Sequence, residues 1–397
     1  MIEPQPLPDE VKDFIFANAH SDIPSLVLKH SSLGGIPIAQ VVDQIVGRRK
    51  ASTKLPAYFA HELVLYPPAL NLEQTSSETT AHFKTSLLAS ATTPGTIVDL
   101  TGGFGIDSLA FSEKFKDVVH VEPNRELQQL AQFDHVLLGA RNIRYVNESA
   151  EMYLESMREV SAVYIDPSRR NASRKVYSFH DCSPDITAIQ ERIFKHTEVL
   201  LVKASPMHDI QLALAEIRYV QRVIVLAVDN EVRELLFLAV RDFTGKPILS
   251  AVNIAHSDTV AMDFTGEEER EAVATFADIM TFIYEPNVAL LKAGAFKLVS
   301  QRFHLDKLHI NTHLYTSNEL IVEFPGRIFR IDAVLKADHK SVLSHLPAAK
   351  ANIIVRNYPS TPEALRKKLK LADGGDHYVL AFTSPAGPTL VSATRIR

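Results

Sequence analysis

Apolar residues along this chain change their spacing twice, and the changes divide it into three stretches. Before about residue 93 the period is helical: Val11, Phe14 and Ile15, then Ile38, Val41, Val42, Ile45 and Val46, recur every three or four positions. Gly34-Gly35-Ile36-Pro37 and Pro67-Pro68 punctuate that stretch. From about Thr93 to Ser250, short apolar runs alternate with amphipathic segments. The runs predict strands over 96–99, 118–122, 143–146, 161–165, 198–202 and 222–228. The segments between them predict helices over 125–138, 150–158, 187–196 and 211–218. Alternation of this kind makes an α/β fold, a Rossmann-like, doubly wound and mostly parallel sheet with helices on both faces. Beyond about residue 250 the pattern breaks up. An acidic amphipathic helix is expected over 267–283, followed by short α and β pieces around 309–315, 320–324, 328–331, 352–355 and 378–382. These read as one or two small α+β units.

Composition adds scale and a direction. A chain of 397 residues is long for one domain, and 46% hydrophobic content can bury a sizeable core. The start, Met1-Ile-Glu-Pro-Gln-Pro6, is acidic and proline-rich, so no signal peptide is expected. The longest apolar runs, such as Val223–Val228, are strand-length rather than membrane-length. Cys182 is the only cysteine, which excludes a disulfide framework and a cysteine zinc site. The chain reads as cytoplasmic. Its net charge of −5 is uneven: from Asn287 onward 16 Lys and Arg face 8 Asp and Glu, a balance of +8, against −13 before it. A basic end on an acidic body points to a polyanionic partner, or to an ordinary solvated surface.

The chemistry gathers around Ile97-Val-Asp-Leu-Thr-Gly-Gly-Phe-Gly-Ile-Asp107. An apolar run ends on Asp99 and breaks into Gly102, Gly103 and Gly105 before a helical pattern resumes. Glycines there let the backbone bend sharply and let a ligand approach without a Cβ in the way. In an open α/β sheet such a turn stands at the carboxyl end of a strand, where ligands bind. Val118-Val-His-Val-Glu122 is a second strand ending in a carboxylate, 23 residues after Asp99, able to accept both ribose hydroxyls. The two together indicate a nucleoside-containing cofactor. A dinucleotide site is one reading, with Ser108 at the third glycine position of that fingerprint. Asp99 favours another, because a strand-end carboxylate suits an ammonium group and repels a pyrophosphate. Ala162-Val-Tyr-Ile-Asp-Pro-Ser-Arg-Arg170 then supplies a fourth strand ending in Asp-Pro.

With these motifs, and with the Asn147-Glu148-Ser149 loop, residues 93–250 resemble class I S-adenosylmethionine-dependent methyltransferases, more closely the branch that contains trimethylguanosine synthase. The whole chain is similar to bacterial methyltransferase-like proteins with a C-terminal THUMP-like domain. That similarity rests on Tyr284-Glu-Pro-Asn287, Asn311–Ser317, Phe324-Pro-Gly-Arg327, Val355-Arg-Asn-Tyr-Pro359 and Leu365–Asp376. The resemblance implies a helical region over 1–92, a methyltransferase domain over 93–280, a ferredoxin-like segment over 281–323 and a THUMP-like domain over 324–397. It implies S-adenosylmethionine as cofactor and RNA, tRNA or rRNA, as substrate, with the basic end delivering it. Asp99 and Gly102–Gly105 would hold the methionine part and Glu122 the ribose. Glu148 or Ser149 would approach the adenine, and Thr101 and Pro123 complete the cofactor set. Asp166, Pro167, Ser168 and Arg169 would face the substrate; no metal is implied.

Amino-methylating members follow Asp/Asn-Pro-Pro with an aromatic that stacks on the base. Here Ser168, Arg169 and Arg170 stand instead, leaving Tyr177 or Phe179 as stacking candidates. Arg169–Lys175, with Arg174, is a basic cluster that points to an anionic substrate. The departure keeps two alternatives open: an RNA-binding adaptor that has lost catalysis, and a methyltransferase of a protein or a small anionic molecule. Among lesser candidates, Lys203 projects at the same sheet edge, and Ser76 or Ser77 could cap the next helix. Arg48-Arg49-Lys50 reads as a solvated helix end. His309 and His313 have an i, i+4 spacing, but on a predicted strand, which argues against metal. Arg366–Lys370 is a basic helical run that could meet phosphates or simply face solvent.

Overall fold

A computed structural model describes residues 4–169, 178–255, 258–346 and 348–397. Arg170, Arg174, Lys175, Tyr177 and the Arg169 side chain lie outside what is described. The chain divides into two compact units, residues 1–223 with 233–245, and residues 224–232 with 246–397. Among the described residues no helix is long and apolar enough to cross a membrane.

The first unit begins with helices α1 (Asp9–Ala17), α2 (Ile23–Lys29), α3 (Ile38–Lys54), α4 (Pro56–Ala60), α5 (Ala69–Gln74) and α6 (Glu78–Ala91). The helical period places Val11, Ile15, Val41, Val42 and Ile45 in one buried cluster. Arg49 belongs to that packing. Its guanidinium donates to the carbonyls of Asn18, Ala19 and Ser21, pinning the turn that follows α1. Arg48 stands over the rings of Phe16 and Phe59, 4.7 and 4.6 Å from their centroids. The basic cluster is therefore largely structural rather than a bare solvated end.

Strand and helix then alternate: β1 (Thr96–Asp99), α7 (Ile106–Ser112), β2 (Asp117–Val121), α8 (Arg125–Leu137), β3 (Ile143–Val146), α9 (Ala150–Tyr153), β4 (Ala162–Ile165), α10 (Ile186–Ile193), β5 (Val199–Ala204), α11 (Ile210–Glu216), β6 (Val220–Val228) and β7 (Glu231–Val240). Neighbours in the sheet run β5-β4-β1-β2-β3, all parallel, and β7 joins β5 antiparallel with Leu235 opposite Ala204. The order reverses between β1 and β4, which is where ligands enter such sheets. Buried Phe104, Ile106 and Ala110 from the turn and α7 share one cluster with Leu55, Tyr58, Leu65 and Ala81 of the helical region. That packing makes the N-terminal helices part of the wall around the turn. Two elements differ from expectation. Helix α9 stops at Tyr153 rather than 158, and β7 was not expected at all: Glu231, Arg233 and Glu234 break up its first half, leaving only Leu235-Leu-Phe-Leu-Ala239 as a buried apolar run.

The second unit holds the hairpin β8 (Ile248–Ala255) and β9 (Asp258–Thr265), then α12 (Gly266–Glu271). The helix expected over 267–283 is limited to α12. Thr265 and Glu268 form a capping box at its start, but Val273, Thr275 and Phe276 continue as extended chain, with Thr275 and Ala277 bonded to the backbone of Lys307. A seven-stranded sheet follows, built from β10 (Phe282–Pro286), β11 (Asp306–His309), β12 (Thr312–Ser317), β13 (Gly326–Leu335), β14 (Asn352–Arg356), β15 (His377–Ser384) and β16 (Gly387–Arg395). Its order is β11-β12-β10-β13-β16-β15-β14, antiparallel except between β14 and β15. Residues 320–324 form no strand. His309 and His313 stand on different strands of the β11–β12 hairpin, and His313 stacks on Phe296 with ring centroids 3.7 Å apart. The basic run Arg366–Leu369 lies on helix Pro362–Leu369, where Arg366 pairs with Asp373 at 2.7 Å.

Candidate active site

A cleft of about 320 Å³ opens at the carboxyl ends of β1 to β4. Its wall includes Thr101, Gly102, Gly103 and Gly105 from the turn, Glu122 and Pro123 after β2, Ser149 at the start of α9, and Asp166 and Ser168 after β4. The structure thus brings most of the expected residues to one place. Asn71 and Gln74 of α5, and Thr75 and Ser76 between α5 and α6, form another part of the rim together with Ser183 and Pro184. Asp99, Glu148 and Pro167 do not line the cleft.

Asp99 sits beneath the turn, not on its ligand side. Its carboxylate is buried, accepts the Thr101 N–H at 3.1 Å and the Ser108 hydroxyl at 2.7 Å. Buried and off the cleft wall, it braces the turn from within the protein in place of the expected direct contact with a ligand ammonium. Burial, reinforced by the charge of Asp107, pushes its pKa up to about 7. Ser108, at the position where a dinucleotide fingerprint has its third glycine, is fully buried on Asp99 and 3.0 Å from His120.

The turn rests on two histidine rings that the motif itself does not reveal. A Cβ on Gly102 would stand 2.3 Å from the His120 ring, and one on Gly105 2.5 Å from the His135 ring. Gly105 also has φ +87°, a left-handed conformation that favours glycine. His135 bonds the Gly105 carbonyl at 3.0 Å and the Tyr145 hydroxyl at 2.9 Å. His120 was visible in the sequence as the one polar residue inside Val118–Val121. Gly102→Ala is expected to lower cofactor affinity at least tenfold and to lower the thermal midpoint. The clash is with a buried ring that cannot withdraw. Unchanged affinity in a calorimetric titration would show that the turn does not depend on this fit.

Burial holds both imidazoles neutral, with pKa values lowered to about 3 for His120 and about 4 for His135. A folded-state value below the unfolded one, near 6.5, contributes stability above that pH and loses it as pH falls towards the folded value. Asp99 acts oppositely: its contribution is complete below about pH 4 and lost as pH rises through about 7. Removing one imidazole isolates its share: relative to His120→Asn, the wild type should lose thermal midpoint as pH drops from 6.5 towards 4. A difference between the two proteins that does not change with pH over this range would contradict the assignment.

Glu122 is oriented by two backbone donors, Gly103 N–H on Oε2 at 2.9 Å and Asn124 N–H on Oε1 at 2.8 Å. Burial raises its pKa, against the pull of those two N–H groups. Each oxygen keeps a further lone pair, so this cleft-lining carboxylate offers the two acceptors a vicinal diol requires. Asn147 fixes the neighbouring wall by donating to the carbonyls of Glu122 and Pro123 at 2.8 and 3.0 Å. Ser149 caps α9, accepting from Met152 N–H at 3.3 Å. The residues present therefore fit a ribose-bearing cofactor.

Under the cleft floor runs a charged network. Lys84 of α6 is fully buried and pairs with Asp107 at 2.9 Å and with Glu234 of β7 at 2.9 Å. It also donates to Ser76 at 2.6 Å, and Ser76 donates to Asp107 at 2.7 Å. Tyr164 adds its hydroxyl to Asp107 at 3.0 Å. Ser77, not Ser76, caps α6 by accepting from Thr80 N–H. Beside this group, Lys203 pairs with Asp166, whose backbone N–H donates to Thr101 Oγ1 at 2.7 Å. Phe179 is buried and stacked on His208 with centroids 5.0 Å apart, so it does not serve as the stacking aromatic.

Comparison with known proteins agrees with this geometry. A solved structure of a candidate methyltransferase from Porphyromonas gingivalis W83 is 31% identical, covers 98% of this chain and of its own, and superposes with a TM-score of 0.84. A family described as a ferredoxin-like domain matches residues 282–325, and one described as THUMP domain-like matches residues 326–395. An uncharacterized RNA methyltransferase of Streptococcus mutans serotype c is 26% identical over 142 residues, 32% of this chain. The chain spans 31% of that relative's length.

Proposed function

We propose, for a chain that belongs to the class I methyltransferases with a C-terminal THUMP-like domain, that it methylates RNA with S-adenosylmethionine as donor. The observation that carries this reading is the single cleft in which the glycine turn, Glu122, Ser149 and Asp166 share a wall. S-adenosylmethionine supplies a methyl group already activated by a positively charged sulfur. The protein's task is then to position and to exclude water. Glu122 accepts the ribose hydroxyls, Gly102, Gly103 and Gly105 let the methionine part approach the backbone, and Asp99 holds the turn from below. Pro123 and Ser149 border the adenine, and Glu148 stands next to Ser149 outside the cleft wall. Asp166, with Ser168 beyond it on the cleft wall, faces the acceptor and takes up charge that develops there.

In the proposed division of labour, residues 93–280 transfer the methyl group and the 281–323 and 324–397 segments, the second of them basic, present tRNA or rRNA, supported by the Streptococcus mutans relative's name and by the THUMP-like match. Binding to total tRNA should then weaken steeply with salt, since phosphate contacts release counterions. Filter binding that ignores salt between 50 and 200 mM, about the range over which such contacts are lost, would count against RNA. A second reading, an RNA-binding protein without catalysis, is favoured by one observation: Phe179 is buried, and the cleft wall carries no exposed aromatic among the described residues. Modified-nucleoside mass spectrometry of RNA from deletion and parent strains separates the two. The proposal expects one methylated nucleoside to vanish with the gene, and an unaltered nucleoside profile would leave the non-catalytic reading.

A further inference from the structure

The cleft carries a charged pair that the motifs do not assign. Lys203, at the end of β5, is nearly buried, and its Nζ is on Asp166 Oδ2. Asp166 lines the cleft, and its other oxygen, Oδ1, holds no hydrogen bond among the described residues. We propose that Lys203 is a positioning residue that clamps Asp166 through Oδ2 and leaves Oδ1 to accept from a nucleophile that bears a proton. This rests on reading the cleft as a methyl-transfer site.

Geometry sets the argument. A lone carboxylate at a half-buried position loses solvation and drifts towards its neutral form, which can donate but no longer accepts at both oxygens. Burial does raise the pKa of Asp166, and Lys203 opposes that rise through charge and a hydrogen bond. Lys203 keeps its own proton despite burial, because Asp166, Glu234 of β7 and Asp107 of α7 surround it. Lys84 of α6 adds a second cation to the same group, Asp99 of β1 lies nearby, and Lys54 of α3 feels the charge of Lys203. With Oδ2 clamped, the side chain cannot rotate freely, and Oδ1 remains for the acceptor. The Asp166 N–H on Thr101 ties its backbone to the glycine turn, so acceptor and donor sites share one support.

The step this serves balances simply. The acceptor nitrogen gives its lone pair to the methyl carbon, and the C–S bonding pair stays on sulfur as a neutral thioether. Nitrogen then carries the positive charge and releases its N–H proton to Asp166, which passes it to water. An acceptor that is already anionic would meet the Asp166 carboxylate unfavourably and would have no proton to give. The pair therefore favours a neutral acceptor that can give up a proton, an amine as written or a hydroxyl by the same step, over an anionic one.

The test is a pH titration of protein labelled with 13C at the aspartate carboxyl, the Asp166 signal being assigned by its loss in Asp166→Asn. Lys203→Met should raise the Asp166 midpoint by at least about one pH unit, the usual effect of an opposite charge at this range, and Lys203→Arg should leave it near wild type. Lys203→Gln replaces the methionine variant if that protein does not fold. In methyl transfer to total RNA, Lys203→Met should lower kcat, move the acid limb of the profile upward by the same shift, and leave KM for S-adenosylmethionine unchanged. Added to Asp166→Asn, it should cause no further loss. An Asp166 midpoint unaltered by Lys203→Met, or losses that add in the double variant, would overturn the proposal. If the wild type methylates no RNA, the substrate reading fails on its own, while the carboxyl titration still decides the pair.

Discussion

Glu122→Ala is expected to weaken S-adenosylmethionine binding on the order of 100-fold. Hydrogen bonds to a charged group contribute about 1.5–3 kcal/mol each, and two ribose hydroxyls depend on this carboxylate. The same substitution also frees the N–H groups of Gly103 and Asn124, which Glu122 now satisfies at 2.9 and 2.8 Å. The turn loses its lateral tie at the moment it loses the ligand contact. Glu122→Gln separates the two effects, since it keeps an acceptor for one N–H while removing the charge. Calorimetry on both variants reads the outcome directly. A loss below about threefold for Glu122→Ala, which is well under one such hydrogen bond, would mean that the ribose lies elsewhere.

Lys84→Met should destabilise the first unit by about 3–5 kcal/mol, the range for removing one partner of a buried pair. Lys84 is fully buried, so water cannot screen Asp107 and Glu234 once the ammonium is gone. The loss should appear as a lower urea midpoint with an unchanged slope. Neutralising Glu234 in the same protein, as Lys84→Met with Glu234→Gln, should recover part of it, because one uncompensated charge has been removed. A change under 1 kcal/mol, small for any buried pair, would show that the network relaxes rather than supports. The ion cluster also joins α6, α7 and β7 beneath the cleft, so its loss should reduce cofactor affinity through Ser76 and Asp107, both on the cleft wall.

These two predictions mark what was and was not legible in the sequence. Glu122 could be read because strand period, strand end and glycine turn all lie within 30 residues and each is local. The parallel order around β1 followed from the alternation, and the cleft follows from the order. Asp99 shows the limit of such reading: a carboxylate at a strand end can face the ligand or the interior, and only the positions of Thr101 and Ser108 decide that it faces inward. Lys84 and Glu234 are 150 positions apart. Nothing local links a lysine in a helix to a glutamate in a strand. The acidic stretch after residue 267 failed for a related reason. Its helical signal is local to the capping box, while Val273, Thr275 and Phe276 are drawn out by backbone bonds to Lys307.

The glycine turn lines the cleft with a different support than its motif suggests. It is a loop laid across His120 and His135, tied underneath by Asp99 and Ser108 and at the side by Glu122. Its glycines are required as much by the rings below as by any ligand above.

The measurement that tests the central claim most directly is a calorimetric titration of the full-length protein with S-adenosylmethionine, run beside Gly102→Ala and Glu122→Ala. One binding site per chain in the wild type, weakened in both variants while their folds persist, is the predicted result. A folded wild-type protein that takes up no S-adenosylmethionine would contradict it.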